Sequence, residues 1–377
     1  MKFNIYIANH GKRDGIEDFL TILVDVVQKR GHEVTISEEL QPDTVNLIID
    51  EFTSALSNRE IEEFKQDYPA ATLIYVLTEF IEHKWFVASF NFFGNPLDAA
   101  AIAAMNVYFR LRRKDFNAPS HRDWLMATAY SPFLVLYVLS HLVTNLSPGK
   151  HRRMSLRKRL YRTAYMLMRY LGLERMIAYA DGVILSHDHI ESGLRRIAGE
   201  VRIAGTIYPE LNFTEIKKNL FQNKQLFIEI TGSVTPYRKR FIREIDNDIL
   251  ALGLKSRFQD CRAISFFSEE PIMARGAYSL HPPQTRTWKY SSPTRIFRAL
   301  QYDYSVPILT RIFDQHPIEK LCLQFRGDET LIDLCQHYKH PERLIEYLEP
   351  LATGYMEIAK ERNDAAIKAI IPGRELN

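Results

Sequence analysis

This chain is poor in cysteine. Its 377 residues hold three, Cys261, Cys322 and Cys335, at no metal-like spacing. An odd, sparse set speaks against a disulfide scaffold or a zinc site and for reduced thiols in a cytoplasm-like compartment. An excess of charge of one sign is missing too, since 49 Lys and Arg against 46 Asp and Glu leave a formal +3. A nucleic-acid partner would call for a broad basic face with interleaved aromatics; the chain has one basic cluster, and no nucleic acid is expected. There is no repeat, no low-complexity tract and no Ser/His/Asp order. The N-terminal stretch MKFNIYIANHGKRDG has no long apolar run and no cleavage site, so no signal peptide is expected.

What is there belongs to a folded α/β chain. Hydrophobic content is 46% and charged content 25%, both ordinary for globular proteins. The length exceeds the ~100–200 residues of one compact domain, so two domains are expected. The first half alternates strand and helix signals. KFNIYIA, HEVTIS, TVNLIID, TLIYVLT and DGVILS read as strands; IEDFLTILVDVVQKRG, NREIEEFKQ and DHIESGLRRIAG read as helices. Such alternation points to a parallel sheet covered on both faces. A polar, proline-containing stretch over 206–223 reads as a linker. The pattern then restarts with strand LFIEI, turn TGSVTP and helix YRKRFIREIDNDILALG, followed by strands around AISFF, AYSLH, VPILT and LCLQF and a last amphipathic helix, GYMEIAKERNDAAIKAI. Two such domains in tandem put a cleft between them. In open parallel sheets, ligands bind outside the carboxyl ends of the strands.

The stretch SSPTRIFRALQYDYSVPILT, residues 291–310, carries the most chemistry. Pro293 suits a first helical position and Ser292 an N-cap. The amides of Thr294 and Arg295 would then lack carbonyl partners and, with the helix dipole, form an anion site. Arg295 opposes that dipole unless an anion sits nearby, and Arg298 lies three residues on, along the same face. An ordinary capped helix, with Arg295 paired to a carboxylate elsewhere, is the competing reading.

This arrangement resembles the nucleotide-sugar site of GT-B glycosyltransferases: a strand, a Ser/Pro-Ser/Thr helix start, RIFRAL, then VPILT. GHEVTI, YADGVILSHDHIESGLRR and FIEITGSVTPYRKRFIREI resemble further parts of the same fold, so the likeness spans most of the chain. It implies two Rossmann-like domains facing a central cleft: an acceptor domain over 1–205, the linker, and a nucleotide-sugar domain over 224–352. It further implies a C-terminal helix and tail, 353–377, crossing back to the N-terminal domain. It implies transfer of a sugar from a nucleotide-diphosphate sugar to a lipid-linked or polysaccharide acceptor, with no cofactor and no essential metal. Donor contacts would come from Gly232, Ser233, Arg238, Ser291, Ser292, Thr294, Arg295 and Arg298. The chain also departs from the family pattern. Tyr290 and Arg298 stand where many retaining members carry Glu-x7-Glu, Ser233 replaces an Arg, and the loop before VPILT lacks the usual Gly. A non-catalytic GT-B-like scaffold and a nucleotide-sugar epimerase therefore stay open.

Other candidates sit at expected strand ends. Asn9, His10, Gly11 and Lys12 follow the first strand, in a loop that does not match GxGxxG. His10 or Glu79 would serve as catalytic base, and Glu51 and His187 would lie on the acceptor side. His281 and its two following prolines would shape a cleft loop. Asp246 and Asp248 lie in a helical pattern that splays them apart, which reads as solvated surface rather than a metal motif.

Residues 150–169 hold eight Lys and Arg and no Asp or Glu. Arg152, Arg153, Arg157, Lys158, Arg159 and Arg162 are expected to face an anionic membrane, beside the apolar run WLMATAYSPFLVLYVLSHLVTNL. Three readings compete for residues 124–146: a buried helix, an interfacial surface and a membrane span. A cytoplasmic protein, peripheral on the inner face of the cell membrane, is the corresponding expectation.

Overall fold

A computed structural model describes residues 1–7, 17–49, 55–78, 176–198, 200–220, 225–231, 256–259, 276–282, 292–310, 316–325, 334, 337–338 and 340–371. The chain divides into two compact units. One comprises Met1–His10, Glu33–Ala204 and Ile370–Asn377; the other comprises Gly11–His32 and Gly205–Ala369. The boundary between Ala204 and Gly205 falls one residue before the expected end of the first domain. The assignment of Gly11–His32 to the second unit was not legible in the sequence.

The six-stranded sheet holds β1 (Lys2–Tyr6), β2 (Glu33–Ser37), β3 (Val45–Ile49), β4 (Thr72–Leu77) and β5 (Gly182–Leu185) of the first unit and β6 (Ile203–Thr206), which spans the Ala204–Gly205 boundary, in the order β2-β1-β3-β4-β5-β6. The pairings from β2 through β5 are parallel. β3 and β5 are buried along their whole length. That is why their sequences read as continuous apolar runs rather than alternating ones. One polar pair interrupts this core. Asn4 and Asn46, opposite each other in the β1–β3 register, are both fully buried. The Asn4 amide donates to Asn46 Oδ1 at 3.0 Å and to the Glu39 carbonyl at 2.9 Å. The Asn46 amide donates to the Gln41 carbonyl at 2.8 Å. Helix α2 spans Ala55–Asp67 and α3 spans Ile190–Ala198.

The second unit holds β7 (Gln225–Thr231), β8 (Ser256–Gln259), β9 (Gly276–His281), β10 (Val306–Leu309) and β11 (Leu323–Gln324), ordered β11-β10-β9-β7-β8. All four pairings are parallel. Read from its first strand, this order is 2-1-3-4-5, and the other sheet begins in the same way. Both are doubly wound sheets, as the alternating pattern leads one to expect. β8 falls in a stretch that gave no strand signal, and AISFF lies outside the described residues. Helix α1 (Glu17–Gln28), α4 (Phe213–Asn219), α5 (Pro293–Gln301) and α6 (Pro341–Ile370) complete the unit. α1 ends at Gly31, whose φ of +74° a side chain would strain.

Within the stretch expected to be a linker, residues 206–220 are described and include α4. Asn212 caps α4 through the Glu215 amide at 3.2 Å. The C-terminal helix grips the preceding strand extension: the Tyr355 hydroxyl donates to the Pro209 carbonyl at 2.7 Å. α6 also reaches the chain's first helix, where Arg30 of α1's C-terminal turn pairs with Glu210 at 2.8 Å and Asp364 at 2.7 Å. The crossing back expected of this helix is thus made onto an N-terminal element that belongs to the second unit. It starts at Pro341, earlier than the expected 353. Gly205 has φ +148°, and a Cβ there would lie 2.9 Å from Ala366 Cβ. Gly205→Ala is expected to destabilise the unit by about 2 kcal/mol, from backbone strain and overpacking. Chemical denaturation read by tryptophan fluorescence checks this.

Among the described residues no helix is long and apolar enough to cross a membrane. Residues 124–146 and the basic positions Arg152, Arg153, Arg157, Lys158, Arg159 and Arg162 lie outside the described residues.

Candidate active site

β9 and β10 are parallel neighbours, with Val306 opposite Tyr278 and Leu309 opposite His281. The helix joining them must return against the strand direction, so α5 begins on the carboxyl side of β9. Its apolar stripe, Ile296, Phe297 and Leu300, is buried. Ser292 and Thr294 are left at the strand-end edge, where ligands of doubly wound sheets bind.

The helix start has the expected form with one difference. Ser292 is the N-cap, in extended backbone, and Pro293 follows at the first helical position. The Ser292 side chain makes no capping bond to an amide. Its Oγ lies 2.6 Å from Thr294 Oγ1 instead. The expectation that both the Thr294 and Arg295 amides lack carbonyl partners is corrected. The Arg295 N–H donates to the Ser292 carbonyl at 3.1 Å, a tightened first turn. The donors gathered at this helix start are the Thr294 amide, the Ser292 and Thr294 hydroxyls and the Arg295 side chain.

Arg298 faces two of the protein's own carboxylates. Its Nε lies 3.5 Å from Asp303 Oδ2, and its Nη1 lies 3.9 Å from Asp18 Oδ2 at the start of α1. Both distances exceed the ~2.7–2.9 Å of a tight charged hydrogen bond. Among the described residues, Asp18 Oδ1 is buried with no hydrogen-bond partner. Burial pushes the Asp18 carboxyl up to about 7, against the pull of Arg298. The Asp303 and Glu17 charges add to the rise, while Arg295 opposes it. A carboxyl poised there by desolvation beside a charge partner marks a candidate functional site. Sequence reasoning missed Asp18, because an acid in a first helical turn has an ordinary reason to be there.

The missing glycine before VPILT also has an explanation. Tyr304 adopts φ +43°, the left-handed conformation that glycine takes at little cost. Its hydroxyl donates to Glu215 Oε1 at 2.7 Å, fixing the turn onto α4.

His187 follows β5, as expected, but its ring is buried at 1% exposure. Nδ1 accepts from the His189 amide at 3.2 Å, and the two imidazoles lie 4.7 Å apart. The ring thus shapes the turn into α3. His281 ends β9, with Nε2 2.9 Å from Ser279 Oγ. Asn9, His10, Gly11, Lys12, Glu51, Glu79, Gly232, Ser233, Arg238, Ser291, Asp246, Asp248 and Tyr290 lie outside the described residues. Among the described residues no group of three His, Cys, Asp or Glu side chains is placed to hold a metal ion.

No family model matches the chain, and no curated protein matches it. Among solved structures, it is similar to one described as an alpha-glucosyltransferase in complex with UDP and a 13-mer DNA containing an HMU base. The two share 12% identity and a TM-score of 0.37, over 98% of this chain and 95% of that one. A likeness of that grade assigns no residue roles here.

Proposed function

We propose that the chain is a glycosyltransferase that binds a nucleotide-diphosphate sugar on the second unit. The diphosphate lies against the start of α5, held by the Thr294 amide, the Ser292 and Thr294 hydroxyls, Arg295 and Arg298. Leaving-group charge is then stabilised by fixed dipoles and a guanidinium rather than by a metal. His10 or Glu79 takes the acceptor's proton, and Gly232, Ser233, Arg238 and Ser291 complete the donor site. The acceptor is lipid-linked or a polysaccharide, met at a membrane surface to which the basic run 150–169 attaches. The observation that carries the reading is Ser292: an N-cap serine whose hydroxyl caps nothing, at the carboxyl edge of a doubly wound sheet. The GT-B-like sequence pattern from 291 to 310 supports it.

Calorimetry with a panel of nucleoside diphosphates tests this reading. Binding is expected, and Arg295→Ala should weaken it by about 1.5–3 kcal/mol, the range for a charged hydrogen bond. An unchanged affinity removes Arg295 from the site. Arg298 favours a second reading, a non-catalytic scaffold of the same fold, because its charge faces Asp18 and Asp303. Liposome binding without any nucleotide binding would select the scaffold.

A further inference from the structure

The acids around α5 have a consequence for any anion bound there. Arg298 is shared between Asp18 and Asp303 at distances that leave neither contact tight. Among the described residues, the titratable groups that interact with Asp18 are Glu17 on its own helix, Arg295 and Arg298 on α5, and Tyr302 and Asp303 just after it. Among the described residues, two other carboxylates and two guanidiniums thus act on Asp18. A diphosphate drawn to Arg295 and Arg298 adds negative charge to a half-buried cluster, where like charges repel more strongly than in water. One carboxylate relieves that repulsion most readily. Among the described residues, Asp18 Oδ1 is buried and accepts no hydrogen bond, so a proton can settle on it without displacing a donor.

We propose that the anion site on α5 is proton-linked through Asp18: a diphosphate docked beside Arg295 and Arg298 is bound together with a proton that Asp18 takes from solvent. Asp18 is then a positioning residue. Its ionised form competes with the ligand for Arg298, and its neutral form releases that guanidinium. Burial already brings this carboxyl near neutrality, which lets a nearby anion tip it. The inference rests on the α5 anion site proposed above, and it makes donor affinity fall as pH rises.

The test is calorimetry of the full chain with inorganic pyrophosphate, in two buffers of different ionisation enthalpy. Asp18→Asn is the reference, so that the titration of pyrophosphate itself cancels. Wild-type protein is expected to take up more protons per ligand than Asp18→Asn, by a difference approaching ~1. At about pH 8.5, Asp18→Asn is expected to bind pyrophosphate roughly tenfold more tightly. Asp18→Ser gives the same comparison where thermal melting shows Asp18→Asn to be unfolded. Equal uptake and equal affinity, with binding that Arg295→Ala still weakens, would overturn the proton linkage alone. Pyrophosphate binding to none of these proteins would overturn the anion site and the linkage with it.

Discussion

Asp18→Asn is expected to make the folded chain more stable at pH 8, by roughly 3–4 kcal/mol, and to flatten its pH dependence between about pH 4 and 7. The carboxyl rises from an ordinary 3.8 to about 7 on folding. Below pH 4 it is protonated both folded and unfolded, so it contributes no difference. Between pH 4 and 7 the folded chain keeps the proton and the unfolded chain loses it, so each step up in pH favours unfolding. Above pH 7 both states are ionised, and the full cost of a desolvated charge is present. Asparagine keeps the shape and removes the charge. Urea denaturation at several pH values reads the difference. A wild-type stability that rises relative to Asp18→Asn across this window would show that the carboxylate is stabilised by its arginines rather than strained by burial.

That expectation turns on a residue whose partners are far away in sequence, and this distance marks where sequence reading stops. Strand runs were legible because burial on both faces leaves an unbroken apolar signature, as in GVIL and the LIYVL of β4. The α5 start was legible because Ser, Pro and the stripe Ile296, Phe297 and Leu300 are local signals. Periodicity in α1 showed an amphipathic helix but could not say which unit its apolar face would join. Nor could it show that Asp18 would meet Arg298, 280 positions later. The stretch 206–223 looked like a linker because it is polar and aperiodic. Side chains of α6, about 150 residues away, bond its backbone at Tyr208 and Pro209. The loss of glycine before VPILT looked like a departure from the family pattern, and Tyr304 fills that conformation with a hydroxyl bond in support.

The largest structural loss outside α5 is expected from Asn363→Ala, about 4 kcal/mol. Asn363 is fully buried on α6. Its Oδ1 accepts from the Tyr208 amide at 2.8 Å, and its Nδ2 donates to the Tyr208 carbonyl at 2.8 Å and to Glu210 Oε1 at 2.9 Å. The side chain thus imitates a neighbouring strand and closes both backbone groups of one buried residue. Alanine leaves the Tyr208 N–H and C=O without those partners, each costing about 1–3 kcal/mol. It also frees Glu210, which holds Arg30 of the first helix. The α6 grip on residues 208–211 and the anchorage of α1 should therefore weaken together. Hydrogen exchange at the Tyr208 amide is the direct check: protection should fall by orders of magnitude in Asn363→Ala, while Asn363→Asp, which keeps the acceptor, retains part of it. Unchanged protection in Asn363→Ala would mean that this stretch is held by its apolar contacts, Ile207, Tyr208 and Leu211, rather than by the asparagine.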